Sequence, residues 1–153
     1  MPGGAHLRRA IVVAVVALAL ATSCAPGPVS VTPVSGAPAA CRALLAALPA
    51  TVESLPSREV SPAGGGAAWG SPPVVLRCGV SRPAAMTQSA SCMEVNDVGW
   101  FAEQREPGYV FTTIGRAVNV ELTVPSKYAP ESNALVDIAD AVKAHVPARS
   151  QCV

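Results

Sequence analysis

Catalysis needs nucleophiles, acid–base groups or metal ligands at workable spacing, and this 153-residue chain offers few. Its two histidines are His6 and His145. His6 lies in a leader-like N-terminus, and His145 closes an expected helix, where the dipole favours a cation without implying catalysis. Ser71 stands in Trp-Gly-Ser-Pro-Pro, not in the Gly-x-Ser-x-Gly pattern of a nucleophile elbow. Asp137 and Asp140, three apart, can share a helix face, as exposed helix charges commonly do. Gly64-Gly65-Gly66 lacks the Lys-Ser/Thr that completes a phosphate loop. No Cys/His spacing resembles a zinc site. No catalytic residue, metal or cofactor is therefore expected. An enzyme would need a polar cleft gathering, for instance, Ser71, Glu94, Asp97 and His145.

A binding constellation is easier to name. Trp69, Arg77, Trp100 and Arg116 each stand beside a glycine or a turn. A planar guanidinium beside an indole can hold a sugar, a peptide carboxylate or a phosphate. The competing reading, which we favour, has the tryptophans plugging the ends of the fold while the arginines pair with Glu94 or Glu121.

The cysteines speak to location. A basic head with Arg8 and Arg9 precedes an apolar run from Ala10 to Ala21, the pattern of a secretory signal. The run falls short of the roughly 20 apolar residues of a bilayer span. Ala21-Thr22-Ser23-Cys24 resembles a bacterial lipoprotein processing site, in which the cysteine is acylated; Ala21 stands where Leu is commoner. The alternative is ordinary cleavage after Ala19 or Ala21, leaving Cys24 a plain thiol. Parity favours lipidation. Of five cysteines, removing Cys24 leaves Cys41, Cys78, Cys92 and Cys152, an even set for two disulfides in an oxidising compartment. The expected organisation is a signal peptide over 1–23, a Pro/Ser/Thr-rich tether over 24–40 and one domain over 41–153.

Charge narrows the partners. Eleven Lys plus Arg, two of them Arg8 and Arg9, face ten Asp plus Glu, with no basic block. No nucleic-acid partner is expected, because that affinity rests on many cationic contacts to phosphate. Nor is an electrostatic membrane anchor expected, on the same ground. Attachment would come from acyl chains on Cys24.

The elements that must position these residues follow from periodicity. Cys41 to Leu48 reads as a short helix, resuming briefly over Thr51 to Leu55 after Pro49. Arg58 to Ser61 reads as a short edge strand. Pro73 to Val80 alternates Val74, Leu76, Cys78 and Val80 onto one face, against Val75, Arg77 and Gly79. Cys92–Val95 and Val98–Phe101 flank Asn96-Asp97 as a hairpin. Tyr109–Ile114 and Val118–Val124 flank Gly115-Arg116 as a second. Glu131 to Val146 carries an apolar stripe of Leu135, Ile138, Ala139, Val142 and Val146 near the helical period. The fold class is α+β: a two-layer sandwich, mostly antiparallel sheet with two helices on one face. Four cysteines allow three pairings. If the strands carrying Cys78 and Cys92 are neighbours and the two helices antiparallel, Cys78–Cys92 and Cys41–Cys152 form. The main competitor is Cys41–Cys78 with Cys92–Cys152.

Together, Trp-Gly-Ser-Pro-Pro-Val-Val-Leu-Arg-Cys-Gly-Val, the following Arg82-Pro83, Val-Asn-Asp-Val-Gly-Trp-Phe, Phe-Thr-Thr-Ile-Gly-Arg and Val-Glu-Leu-Thr-Val-Pro resemble an actinobacterial envelope family, domain of unknown function 3515. The resemblance spans roughly Cys41 to Val146. It implies export and a single domain and says little of activity. Asn96-Asp97 departs from the expected Asn-Gly. The expected function is a membrane-anchored, non-catalytic envelope protein binding another protein or a wall component. The alternatives are an envelope enzyme acting on wall glycan, peptide or lipid, and a chaperone-like structural subunit.

Overall fold

The computed structural model describes residues 26–152. The leader and Cys24 lie outside the described residues. The chain runs through β1 (Val29–Ser30), α1 (Ala39–Ala47), β2 (Thr51–Val52), β3 (Leu55–Arg58), β4 (Val60–Ser61), β5 (Ala67–Trp69), β6 (Val74–Cys78), β7 (Met93–Val95), β8 (Val98–Arg105), β9 (Gly108–Ile114), β10 (Val120–Pro125) and α2 (Asn133–His145). Eight strands make one sheet in the order β2-β3-β5-β6-β10-β9-β8-β7. Every pairing within it is antiparallel. From β6 the chain crosses to the β7 edge and returns by hairpins until β10 lies beside β6.

The period-two alternation sorts the sheet into two faces. Val74, Leu76 and Cys78 point to the helix side, and register carries that side to Val120, Leu122 and Val124, then to Phe111 and Trp100. α2 buries Ala134, Leu135, Ile138, Ala139 and Val142 against it, and α1 adds Cys41 and Leu44. The helices also touch each other, so both lie on one face, giving the expected α+β sandwich. Such burial is the main favourable term, about 1.5–3 kcal/mol for each large aliphatic side chain.

Four expectations need correction. The first concerns residues 51–55, where β2 and β3 form a hairpin and no helix resumes. Glu53 and Ser54 both hold positive φ, 51° and 61°, as a tight hairpin turn requires. The Glu53 N–H donates to the Asp137 carboxylate at 2.7 Å, tying that turn to α2.

The second concerns the tether. β1 pairs in parallel with β4, and Val29 and Val31 pack with Ala68, Val60 and Val75 on the reverse face of the sheet. The sequence conceals this because the segment is rich in proline, yet two valines two residues apart dock it, with the Val29 and Val31 N–H groups donating to the Glu59 and Ser61 carbonyls at 2.8 and 3.0 Å. The domain therefore begins well before Cys41.

The third concerns the Gly115-Arg116 hairpin. β10 starts only at Val120, and the connection runs from Gly115 to Asn119 because Arg116 leaves the ladder to bridge Ala148.

The fourth is the disulfide pairing, which is Cys41–Cys78 and Cys92–Cys152, with Cα separations of 5.5 and 5.7 Å. Cys78–Cys92 assumed neighbouring strands. In the sheet β6 and β7 stand four positions apart, about 19 Å at the usual strand spacing. A disulfide spans only about 4.4–6.8 Å between Cα atoms. Instead, the start of α1 lies over the end of β6, and the C-terminal tail reaches the β7 edge.

Candidate functional site

The structure does not gather Trp69, Arg77, Trp100 and Arg116 into one place. Trp69 and Trp100 are buried on the helix side, at 1% and 0% exposure. Trp69 donates its Nε1–H to the Pro49 carbonyl at 3.0 Å. Trp100 Nε1 has no partner among the described residues. Arg77 projects from the reverse face, where Nη1 meets Glu121 at 3.3 Å and Nε donates to the Thr32 carbonyl at 3.2 Å. It thus locks the N-terminal segment onto the sheet. Alternation along the strand fixes this outcome, since a residue between Leu76 and Cys78 must point away from the core.

Arg116 lies at the end of the sheet that also carries Asp97 and the C-terminus of α2. Its Nη1 donates to the Val146 carbonyl at 3.1 Å and its Nη2 to the Asp97 carbonyl at 2.7 Å. One side chain thereby joins the end of α2 to the β7–β8 turn. That turn holds Asn96 and Asp97 at positive φ, 47° and 63°.

The groups of a hydrolytic site are divided between opposite ends of the sheet. Ser71 sits in the β5–β6 turn, where its carbonyl accepts from Lys127 at 3.0 Å. Glu94, Asp97 and His145 belong to the other end. Asp140 pairs with Lys143 at 3.1 Å, and Lys143 also approaches Asp97 at 3.6 Å. On the reverse face, the hydrogen bond and then the charge of Glu103 raise the Arg105 guanidinium above its ordinary value. Among the described residues no group of three His, Cys, Asp or Glu side chains is placed to hold a metal ion.

What the Arg116 end does contain is a strapped cleft. The tail after α2 is pinned along the β9–β10 connection. Ala117 N–H donates to Pro147 at 2.9 Å, and the N–H groups of Arg149 and Ser150 both reach the Gly115 carbonyl, at 2.6 and 3.1 Å. The tail ends at the Cys92–Cys152 bridge, which lies over Gly99. A Cβ there would stand 2.9 and 3.0 Å from the two sulfurs. On one side of the tail is a cleft of about 320 Å3 with Glu94 and Asp97 on its walls. On the other is one of about 280 Å3 between the tail and the 81–91 loop, walled in part by Arg82, Gln88, Asn119 and Gln151. Arg116 lines both. The loop is held by Arg82 Nε donating to the Met86 carbonyl at 2.8 Å, and Asn119 Nδ2 donates to Val80 at 3.2 Å. Met86 is buried at its turn.

Arg82 entered the sequence reading only within the family motif, and neither it nor the loop wall was read there as part of a site. The only signal was an arginine next to a proline in a segment with no periodicity, and neither feature marks a site. A larger and more apolar cleft, about 420 Å3, lies between residues 33–38 and α1, with the Cys41–Cys78 bridge in its wall and Arg42 at its edge.

These features define a small α+β domain closed by two disulfides, a construction suited to an oxidising, extracytoplasmic environment. Among the described residues no helix is long and apolar enough to cross a membrane. The family described as "Protein of unknown function (DUF3515)" matches residues 6–151, and the chain belongs to it. No curated protein and no solved structure matches.

Proposed function

We propose that the protein is an exported lipoprotein of a bacterial, actinobacterial-type envelope, held at the outer face of the membrane by acyl chains on Cys24. It acts there by binding an envelope protein or wall component and not by turnover. The observation that carries the reading is how the five cysteines divide. Four are consumed as Cys41–Cys78 and Cys92–Cys152, and the fifth stands directly behind the signal-like leader. Two or more acyl chains give a stable anchor, and one does not. The strapped cleft is the place where the binding is proposed. The enzymatic alternative asked Ser71, Glu94, Asp97 and His145 to converge, and Ser71 stands apart from the other three.

The test is detergent-phase partitioning of the full chain expressed in an actinobacterial host. The protein should enter the detergent phase, and Cys24→Ala should move it to the aqueous phase or the medium. A Cys24→Ala variant that still partitions into detergent refutes the anchor.

A further inference from the structure

The geometry points to an anionic ligand: the cleft between the 81–91 loop and the C-terminal tail receives a carboxylate or phosphate group between Arg82 and Arg116. This deepens the proposed binding role and rests on it. Three observations carry the inference.

The first is uncompensated charge. Among the described residues two arginines line this cleft and no aspartate or glutamate does. The bonds they make are to main-chain carbonyls, Met86 for Arg82, and Val146 and Asp97 for Arg116. A carbonyl oxygen satisfies an N–H but cancels no charge. Arg77 and Arg105 differ, since each meets a carboxylate, Glu121 or Glu103.

The second is spare donor capacity held in place. A guanidinium has five N–H groups in a rigid fork that matches carboxylate and phosphate oxygens. Arg82 commits one to the protein and Arg116 two. Those commitments fix each fork without exhausting it, so little side-chain entropy is lost on binding. Gln88, Ser150 and Gln151 add neutral polar groups around the same space.

The third is size and neighbourhood. About 280 Å3 is just below the usual range of roughly 300–1,000 Å3 for small-molecule clefts, room for one head group or one terminal residue. Two acids, Glu94 and Asp97, stand in the cleft on the far side of Arg116. The Asp97 carboxylate faces Lys143 there. They bias the ligand towards a single anionic group lodged on the Arg82 side.

The experiment uses the full chain carrying Cys24→Ala, so that binding is read without the anchor and its failure is separate from failure of lipidation. Amide NMR shifts are followed at low ionic strength while inorganic phosphate or N-acetylalanine is added. Saturable shifts confined to residues 82–90, 113–119 and 150–151 are expected, weakening as salt rises. Arg82→Gln, in an exposed loop, should keep the spectrum of the folded protein and weaken binding about tenfold; Arg82→Lys should weaken it less. Response to phosphate alone assigns a phosphorylated head group, and response to N-acetylalanine alone assigns a peptide terminus. Absence of saturable shifts with both probes, or Arg82→Gln binding as tightly as the parent, overturns the inference.

Discussion

Removing each disulfide separately should cost stability in the order opposite to loop length. The bridges close loops with sequence separations of 37 and 60 residues. Chain entropy alone assigns about 3.8 kcal/mol to Cys41–Cys78 and about 4.3 kcal/mol to Cys92–Cys152, so the longer loop should matter slightly more. Burial argues the other way. Cys41 and Cys78 are 3% and 5% exposed and belong to the main core, whereas Cys92 and Cys152 are only half-buried. Replacing the first pair by alanine also removes two sulfurs from the contact between α1 and β6. A further loss of about 1–2 kcal/mol follows from cavity creation. Breaking the second pair frees a tail near the chain end, where local fraying need not carry the rest of the domain with it. Urea unfolding of Cys41→Ala/Cys78→Ala and Cys92→Ala/Cys152→Ala, read by tryptophan fluorescence, is the assay. The first double variant should be the less stable by about 0.6–1.6 kcal/mol, the cavity loss less the ~0.4 kcal/mol entropic difference that opposes it. A larger loss for Cys92→Ala/Cys152→Ala would refute the reasoning and make the tail part of the cooperative core. Non-reducing peptide mapping of the parent should first join Cys41 to Cys78.

Ile138→Ala, at a fully buried position of α2, should lower stability by roughly 2–5 kcal/mol, while Val136→Ala on the exposed side of the same helix should stay within about 0.5 kcal/mol, both measured by chemical denaturation. Asp97→Gly should stabilise the fold by roughly 0.5 kcal/mol. It relieves a non-glycine residue at φ 63° in a tight hairpin and keeps the carbonyl that Arg116 uses; a lower melting temperature would contradict this.

What was legible in the sequence was what period and chain chemistry alone determine. Alternation in Val74–Cys78 and in Val120–Val124 fixed both the strands and the side each residue faces, and the stripe of α2 fixed its buried side. Asn96-Asp97 announced its hairpin because few residue pairs tolerate positive φ twice in succession. Glu53-Ser54 adopts the same geometry without such a signal, and only its tertiary setting, between Val52 in the core and Asp137 on α2, explains it. The disulfide pairing depended on strand order, and strand order is nonlocal: nothing near Cys78 or Cys92 says that three strands separate β6 from β7. For the same reason the candidate cleft stayed hidden. Arg116 was singled out for its glycine neighbour, but its partners Val146 and Asp97 and its companion Arg82 come together only in the folded chain.

The docking of β1 changes the mechanics of the proposed anchor. Had residues 25–40 been free, they would have given the domain a reach of about 55 Å at full extension. With Val29 already fixed to the sheet, the span between Cys24 and the docked strand shortens to about 14 Å at most. Were Cys24 acylated as proposed, a body on so short a leash would not patrol the depth of a cell wall. It would be held in a thin shell above the lipid, with restricted tumbling and a high local concentration towards whatever else is embedded beneath it, and the proposed partners would be molecules that come to that surface.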